Sequence, residues 1–460
     1  MAANLQGTEI HFGEGSVEQW IDEHLEDTLI PFFVDRRPAA KGAIIVNSVA
    51  QAKRLTQHLQ RVLTPFGIHV EENTGLTGHS RRADSYQADL LVGTSTIDVG
   101  VDFQINFLLF ESRDAGSFLQ RLGRLGRHQG YERDGKHISF EGAFQAHALL
   151  PPWIIARLFE NSESTAAPRI DGGEHDRQQL AQAINDAFPP PADFRGYAKA
   201  WGGLQSARVV SALRNPTIRD NYATTAQSLT TRYESTFGLE LRGYYGRIKS
   251  LTEQQKPLLQ EVIAFRGGSY FECGLYDPQE QGSDQIKRYD LLALLPNAIL
   301  RELNEADFWQ IVERTGTPEG PLHRQEFLAF FQLAGFTQER SNFRIKLQHD
   351  IGDWGDQYFG VAQVLTGITI EHETPAAVPG LNPLNRRLQQ REIPALLCRG
   401  FSHPLEVKRR LRLPMLFPVY SFVSRDQLGG VIAFGRQALL LDIALRHSGI
   451  QCSGDAAIIL

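Results

Sequence analysis

Between Gly42 and Pro152 the chain alternates short apolar runs with a segment of helical periodicity. GAIIVN (42–47), ADLLVGTS (88–95), INFLLFES (105–112) and FQAHALLPP (144–152) are runs of the length expected for strands buried on both faces, and GIHVEEN (67–73) is strand-like. VAQAKRLTQHLQRVL (49–63) places Leu55, Leu59, Val62 and Leu63 at helical spacing. Strands alternating with helices predict a parallel sheet covered on both faces, with ligands received beyond the carboxyl ends of the strands.

A second helical pattern follows the run at 105–112. In DAGSFLQRLGRLGRH (114–128) Ser117 can cap a helix, and Phe118, Leu122 and Leu125 fall at i, i+4 and i+7 on an apolar face. Gln120, Arg124 and Arg127 repeat that spacing on another face. Gly123 and Gly126 each cost about 1 kcal/mol relative to Ala in a helix, so glycines flanking arginines predict close approach by another backbone.

The pattern then changes twice. Residues 153–265 read mostly as helices, with SESTAAPRIDGGEHD (162–176) as a linker and FPPPADF (188–194) as a break that no helix crosses. From about residue 260 strand and helix patterns mix, and EVIAFRGGSYFECGLYD (261–277) reads as two strands around a Gly-Gly turn. The expected organisation is an α/β parallel-sheet domain at 1–160, a helical connector at 161–259 and an α+β domain at 260–460.

Charge narrows the classes. A net charge of −6 excludes a globally basic nucleic-acid binder but leaves local patches such as NRRLQQR (385–391) and VKRRLR (407–412). The second run could track a phosphate backbone, although a solvated strand edge is the favoured reading. Tyr270, Phe271 and Tyr276 could stack on bases, but aromatics beside a turn are more often core. Three widely spaced cysteines, Cys273, Cys398 and Cys452, argue against a disulfide framework and fit a reducing compartment. No signal-peptide pattern opens the chain and no apolar run reaches the roughly 18 residues of a membrane span, so a cytoplasmic protein without a membrane partner is expected. His175-Asp176 and His349-Asp350 are two-letter pairs without the further ligands of a metal site, and read as surface polar residues.

Two neighbouring stretches carry chemistry. In VGTSTIDVGVDF (92–103) a strand enters a Thr-rich turn whose amides and hydroxyls can hold a nucleic-acid phosphate, and Asp102 can accept from an arginine or a sugar hydroxyl. The arginines of QRLGRLGRH (120–128) present forked guanidiniums that suit a phosphate and can stabilise charge developing on a transferring phosphoryl group.

Together these stretches resemble motifs V and VI of superfamily 2 helicases. The motif VI pattern Gln-Arg-x-Gly-Arg-x-Gly-Arg is matched by Gln120, Arg121, Gly123, Arg124, Gly126 and Arg127. The resemblance implies a RecA-like second motor domain in which Arg124 and Arg127 are arginine fingers and Gln120 senses the γ-phosphate. Gly100, Asp102 and Arg121 are its further nucleotide-side residues. IIVNSVAQAKRL (44–55) resembles motif IV, with Asn47 and Ser48 at the strand end, and TGLTGHSRRAD (74–84) resembles the loop that grips the tracking strand, with His79, Ser80 and Arg81. Thr94 resembles the motif V phosphate contact. More finely, VNSVAQAKRL, GHSRRAD and STIDVGVDF are similar to the CRISPR-associated helicase of type I systems, and FRGGSYFECGLYD, KRYDLLALLPNA and FGRQALLLD look like its subtype I-D form, in which helicase and nuclease are separate polypeptides.

No Gly-x-x-x-x-Gly-Lys-Ser/Thr string occurs, and no Asp-Glu box follows a strand. Both belong to the first motor domain of such helicases. The resemblance therefore implies ATP shared with a first motor domain, from the same parent protein or another chain, and Mg²⁺ held by that half. It further implies a single-stranded DNA track with 3′-to-5′ polarity and a prokaryotic CRISPR effector complex as partner. The isolated chain is expected not to hydrolyse ATP. Another superfamily 2 motor of restriction or repair, or a non-catalytic adaptor that kept the fold, remain alternatives.

Overall fold

The apolar runs become the centre of a seven-stranded sheet. The computed structural model describes residues 2–5, 7–98, 104–133, 135–159, 174–190, 194, 196–213, 215–238, 240–264, 269–316, 327–374, 378–379, 381–450 and 452. The chain divides into two units: Met1–Pro190 with Pro278–Gln285, and Pro191–Asp277 with Ile286–Leu460.

In the first unit, β1 (Ala2–Leu5), β2 (Thr8–Gly13), α1 (Val17–His24) and α2 (Ile30–Asp35) precede β3 (Gly42–Ile45) and α3 (Val49–Leu63). There follow β4 (Val70–Asn73), α4 (His79–Ser85), β5 (Leu90–Gly93), α5 (Ser95–Asp98), β6 (Phe107–Glu111) and α6 (Ala115–Leu122). A hairpin of β7 (Gly130–Arg133) and β8 (Lys136–Ser139) leads to β9 (Phe144–Leu149), α7 (Pro152–Phe159) and α8 (Arg177–Ala187). Strand order is β1-β2-β9-β6-β3-β5-β4, and every pairing from β2 to β4 is parallel. Ile44 lies opposite Val92 on one side and Leu109 on the other. Two apolar layers sandwich the sheet. One packs Ile45, Phe110, Phe118 and Leu122 against Ile154 and Ile184; the other packs Ile44, Leu55, Leu59 and Leu109 against Trp20 and Phe33. Such two-sided burial is why these strands read as unbroken apolar runs.

The second unit contains α9 (Gly203–Ala212), α10 (Pro216–Asn221), α11 (Ala223–Phe237), α12 (Leu241–Gln254) and α13 (Lys256–Ile263). Then come β10 (Glu272–Tyr276), β11 (Ile286–Asp290), α14 (Leu291–Leu294), β12 (Ala298–Leu303), α15 (Glu305–Thr315) and β13 (Ala329–Phe336), with the sheet order β11-β10-β13-β12. A further mixed sheet holds β14 (Phe343–Leu347), β15 (Ala362–Leu365), β16 (Ile368–His372), β17 (Ile393–Cys398), β18 (Tyr420–Val423) and β19 (Gly429–Phe434). Its helices are α16 (Leu381–Leu388), α17 (Pro404–Arg410) and α18 (Gly435–Ser448).

Several expectations change here. The expected connector divides: α8 packs on the first sheet through Leu180 and Ile184, whereas the later helices share a core with the C-terminal elements, since Leu204, Tyr233, Tyr244 and Val262 pack with Leu439 and Ile443. The first strand expected in 261–277 is instead the end of α13, where Leu258, Leu259 and Val262 bury one helical face behind Pro257 in the first turn. The first four residues of VKRRLR end α17 and Arg412 lies just beyond it, so the run is not a strand edge. Phe271 is core, and Tyr270 and Tyr276 are half-buried. Cys398 and Cys452 are joined in a disulfide while Cys273 is buried and free, against the reading of unpaired cysteines. Asp176 caps α8 through a capping box with Gln179, and Asp350 pairs with Arg425. Among the described residues no helix is long and apolar enough to cross a membrane, and no group of three or more His, Cys, Asp or Glu is arranged to hold a metal.

Candidate functional site

The carboxyl ends of β3, β5 and β6 lie side by side, and the residues singled out in the sequence follow them. Ile45 is in register with both Gly93 and Phe110, so the turns after these strands leave the sheet at one edge.

After β6 the chain enters α6. Asp114, rather than Ser117, is the N-cap: its carboxylate accepts from the Ser117 amide at 2.8 Å. Phe118, Leu122 and Leu125 are buried as the periodicity predicted. The second predicted face does not form. The helix ends at Leu122, Gly123 is its C-cap and Gly126 adopts a left-handed φ of +71°. Gln120 therefore stays on the helix, exposed, while Arg124 and Arg127 belong to the turn beyond it. Arg124 is 7% exposed, with its side chain turned into the fold. Arg127 is exposed, and its Nε donates to the Gly123 carbonyl at 2.5 Å. The two glycines thus end a helix and reverse a chain.

Arg121 faces the sheet and is buried. Its Nη1 donates to Asn47 Oδ1 at 2.9 Å and to the Glu111 carbonyl. Asn47 Nδ2 donates to Glu111 Oε2 at 2.9 Å, and Gln51 Nε2 donates to both Glu111 Oε1 and Glu18 Oε2. One polar network therefore joins the ends of β3 and β6 to α3 and α1. Asn47 and Arg121, which the sequence assigned to nucleic acid and nucleotide, are brought together and hold one another. Ser48 is the N-cap position of α3 without a side-chain cap bond, and is half-buried.

The loop between β4 and α4 is a second cluster. Ser80 and His79 are exposed and Arg81 is half-buried. The Gly78 amide donates to Glu280 Oε1 at 3.3 Å and the Ser80 amide to Asp284 Oδ2 at 3.0 Å. Arg81 reaches Glu71 and Glu280, each at 3.8 Å. Sequence reasoning missed both carboxylates, because nothing local tells residues 278–285 that they will return to a loop two hundred positions earlier.

Thr94, at the turn after β5, is buried, and its carbonyl accepts from the Ile97 amide at 2.9 Å. Thr96 Oγ1 donates to the Asn73 carbonyl at 2.9 Å, tying this turn to the end of β4. Gly100 and Asp102 lie outside the described residues.

This arrangement, a parallel sheet with an arginine-bearing turn after one strand and polar loops after its neighbours, is that of an α/β core resembling RecA-like helicase domains. Residues 38–130, which span β3 to the start of β7, match the family model "CRISPR-associated nuclease/helicase Cas3, C-terminal". Over this stretch the chain resembles the C-terminal part of a superfamily 2 helicase of the Cas3 kind. Among solved structures, Cas3 from T. fusca aligns at 10% identity and TM-score 0.34 over 74% of this chain and 42% of that one. The T. fusca Cas3–ATP structure aligns at 13% and 0.27 over 62% and 32%. The DUF1998 helicase MrfA bound to DNA aligns at 10% and 0.44 over 96% and 60%. This chain spans 32% to 42% of the length of those T. fusca Cas3 structures. A comparison with curated proteins finds no match.

Proposed function

We propose that this chain supplies the second motor domain of an ATP-driven single-stranded-DNA translocase of type I CRISPR interference, in the subtype I-D form whose nuclease is a separate polypeptide. The observation that carries the reading is the family match over 38–130, which includes the Gln120–Arg127 segment at the end of α6 and in the turn beyond it.

Gln120 and Arg127 are exposed and can meet a triphosphate as they stand. Arg124 is buried, so it meets the phosphates only when the turn at 123–127 opens, a movement that Gly123 and Gly126 permit. ATP would supply the phosphoryl group, and Mg²⁺ would be held by the first motor domain. Arg121 and Asn47 keep the strand ends in register, the loop bearing His79, Ser80 and Arg81 faces the DNA backbone, and Thr94, buried at the turn after β5, would reach a phosphate only if that turn opened. Gly100 and Asp102 lie between those two functions in sequence. The CRISPR effector complex is the assembly that this motor would serve.

The test is reconstitution. The purified chain is combined with a first motor domain and DNA-stimulated ATP hydrolysis is measured. Hydrolysis is expected only in the mixture, and Arg124→Ala or Arg127→Ala is expected to lower it about a thousandfold, the scale on which arginine fingers act. Robust DNA-stimulated turnover by the chain alone, or near-normal rates in both variants, refutes the assignment.

A further inference from the structure

At the end of β4 one carboxylate oxygen gathers three donors inside the fold. Glu72 Oε1 lies 3.1 Å from Lys53 Nζ, and accepts from Thr74 Oγ1 at 3.0 Å and Thr77 Oγ1 at 2.7 Å. Both charged side chains are almost wholly buried, 7% exposed for Lys53 and 6% for Glu72. Thr77 Oγ1 in turn accepts from the Thr74 amide at 2.8 Å, and Arg82 Nη2 donates to the carbonyls of Thr74 and Thr77 at 3.0 and 3.2 Å. The turn from Thr74 to Thr77 is thus bonded from within.

Burying two charges is costly, and a well-packed apolar pair of the same volume would be at least as stable. What an apolar pair would lack is the acceptor. Without Glu72 the Thr74 and Thr77 hydroxyls, 3.2 Å apart, keep only each other, and one of the two donors is left unsatisfied in a buried turn. The pair also connects two places that the proposed function separates. Lys53 sits on α3, whose first residues follow Asn47, and Asn47 is bonded to the Arg121 guanidinium at the carboxyl end of β6. A contiguous chain of contacts therefore runs from Arg121 through Asn47, α3 and the Lys53–Glu72 pair to the loop that carries His79, Ser80 and Arg81.

We propose that the buried Lys53–Glu72 pair is a positioning element that holds the Thr74–Arg81 loop in the geometry required to grip a nucleic-acid backbone and links that geometry to the arginine-bearing end of β6. The inference rests on the reading of His79, Ser80 and Arg81 as nucleic-acid contacts, and is tested so that the two can fail separately.

Two double variants remove both charges and keep the core filled: Lys53→Met with Glu72→Gln retains an acceptor for the threonines, and Lys53→Met with Glu72→Leu does not. Both are measured for thermal unfolding, for binding to fluorescein-labelled oligo(dT), and for amide hydrogen exchange over residues 74–80. The expected result is two folded proteins, the Leu form melting a few degrees below the Gln form for want of the threonines' acceptor. The Gln form should bind oligo(dT) as the native chain does. The Leu form should bind about tenfold more weakly, as befits loss of a phosphate contact or two, and should exchange faster at 74–80. Equal affinity and equal protection in the two variants overturns the proposal. If the native chain itself does not bind oligo(dT), the nucleic-acid reading fails, and hydrogen exchange alone decides the positioning role: faster exchange in the Leu form supports it and equal exchange overturns it. Should the Leu form not fold, Thr77→Val, which removes one hydroxyl and keeps the shape, takes its place with the same expectations.

Discussion

Arg81 lies with Nη1 3.8 Å from Glu280 Oε1, and Glu280 also accepts from the Gly78 amide, so a carboxylate of the 278–285 segment faces the loop expected to hold a phosphate. Asp284 does the same at the Ser80 amide. A carboxylate and a phosphate compete for the same donors. Neutralising the acids with Glu280→Gln and Asp284→Asn together is therefore expected to tighten oligo(dT) binding about fivefold, the equivalent of one modest hydrogen bond no longer contested. Fluorescence anisotropy at fixed salt checks this; weaker or unchanged binding would show that the acids shape the loop instead of competing for it.

The arginines of 121–127 should separate into structural and functional groups. Arg121 is 2% exposed and serves both Asn47 and the Glu111 carbonyl. Arg121→Met strands two half-buried acceptors and is expected to cost about 1–3 kcal/mol in urea unfolding. Arg127 is exposed, and Arg127→Ala should fall within about 0.5 kcal/mol of the native chain while disabling the reconstituted motor. Equal stability losses in the two variants would contradict the placement of Arg121 inside and Arg127 outside.

Acid should weaken the first unit through His147. This side chain on β9 stacks on His11 at 4.9 Å and meets Trp20 at a tilt of 55°, 4.6 Å between ring centroids. Burial, with His11 and His24 nearby, pushes its imidazole down to about 3. The unfolded chain takes up this proton near pH 6.5 and the folded chain does not, so the stabilisation is fully present above pH 6.5 and declines as the pH falls towards 3. Between pH 7.5 and 5.5 the native protein should lose about 1.4 kcal/mol more than His147→Phe, which keeps an aromatic ring and cannot titrate. Parallel pH profiles for the two proteins would remove His147 as the cause.

Legibility follows the range of the forces involved. The strands at 42–45, 90–93, 107–111 and 144–149 and the helix at 49–63 follow directly from apolar runs and spacing. Thr8–Gly13 was invisible because only Ile10 and Phe12 alternate in six residues, too few to separate from chance. Residues 261–263 read as strand because Val262 and Ile263 look strand-like without the Leu258–Leu259 contacts that fix the helical face. In the site, residue types were legible and partners were not. The motif singles out Arg121, yet only the fold shows it bonded to Asn47. Lys53 and Glu72 gave no signal, since a pair 19 positions apart on a helix and a strand has no local pattern.

The turn of Gly126 offers a test that divides shape from stability. With φ of +71° and only Thr8 Oγ1 at 3.7 Å from where a Cβ would lie, the position has room for a side chain but not the usual backbone conformation. Gly126→Ala should therefore cost only about 1–2 kcal/mol, the left-handed penalty, and Gly126→Asn, which tolerates that conformation, less. Gly93 is the contrasting case, because a Cβ there would meet the Asn73 carbonyl at 2.3 Å and Ile97 Cδ1 at 2.2 Å. Gly93→Ala should exceed about 3 kcal/mol, since backbone on one side cannot give way. If Gly126 serves to aim Arg127 and release Arg124, reconstituted hydrolysis should fall further in Gly126→Ala than its stability loss explains, and recover in Gly126→Asn. Hydrolysis that simply follows the folded fraction in both variants would leave Gly126 with a purely conformational role.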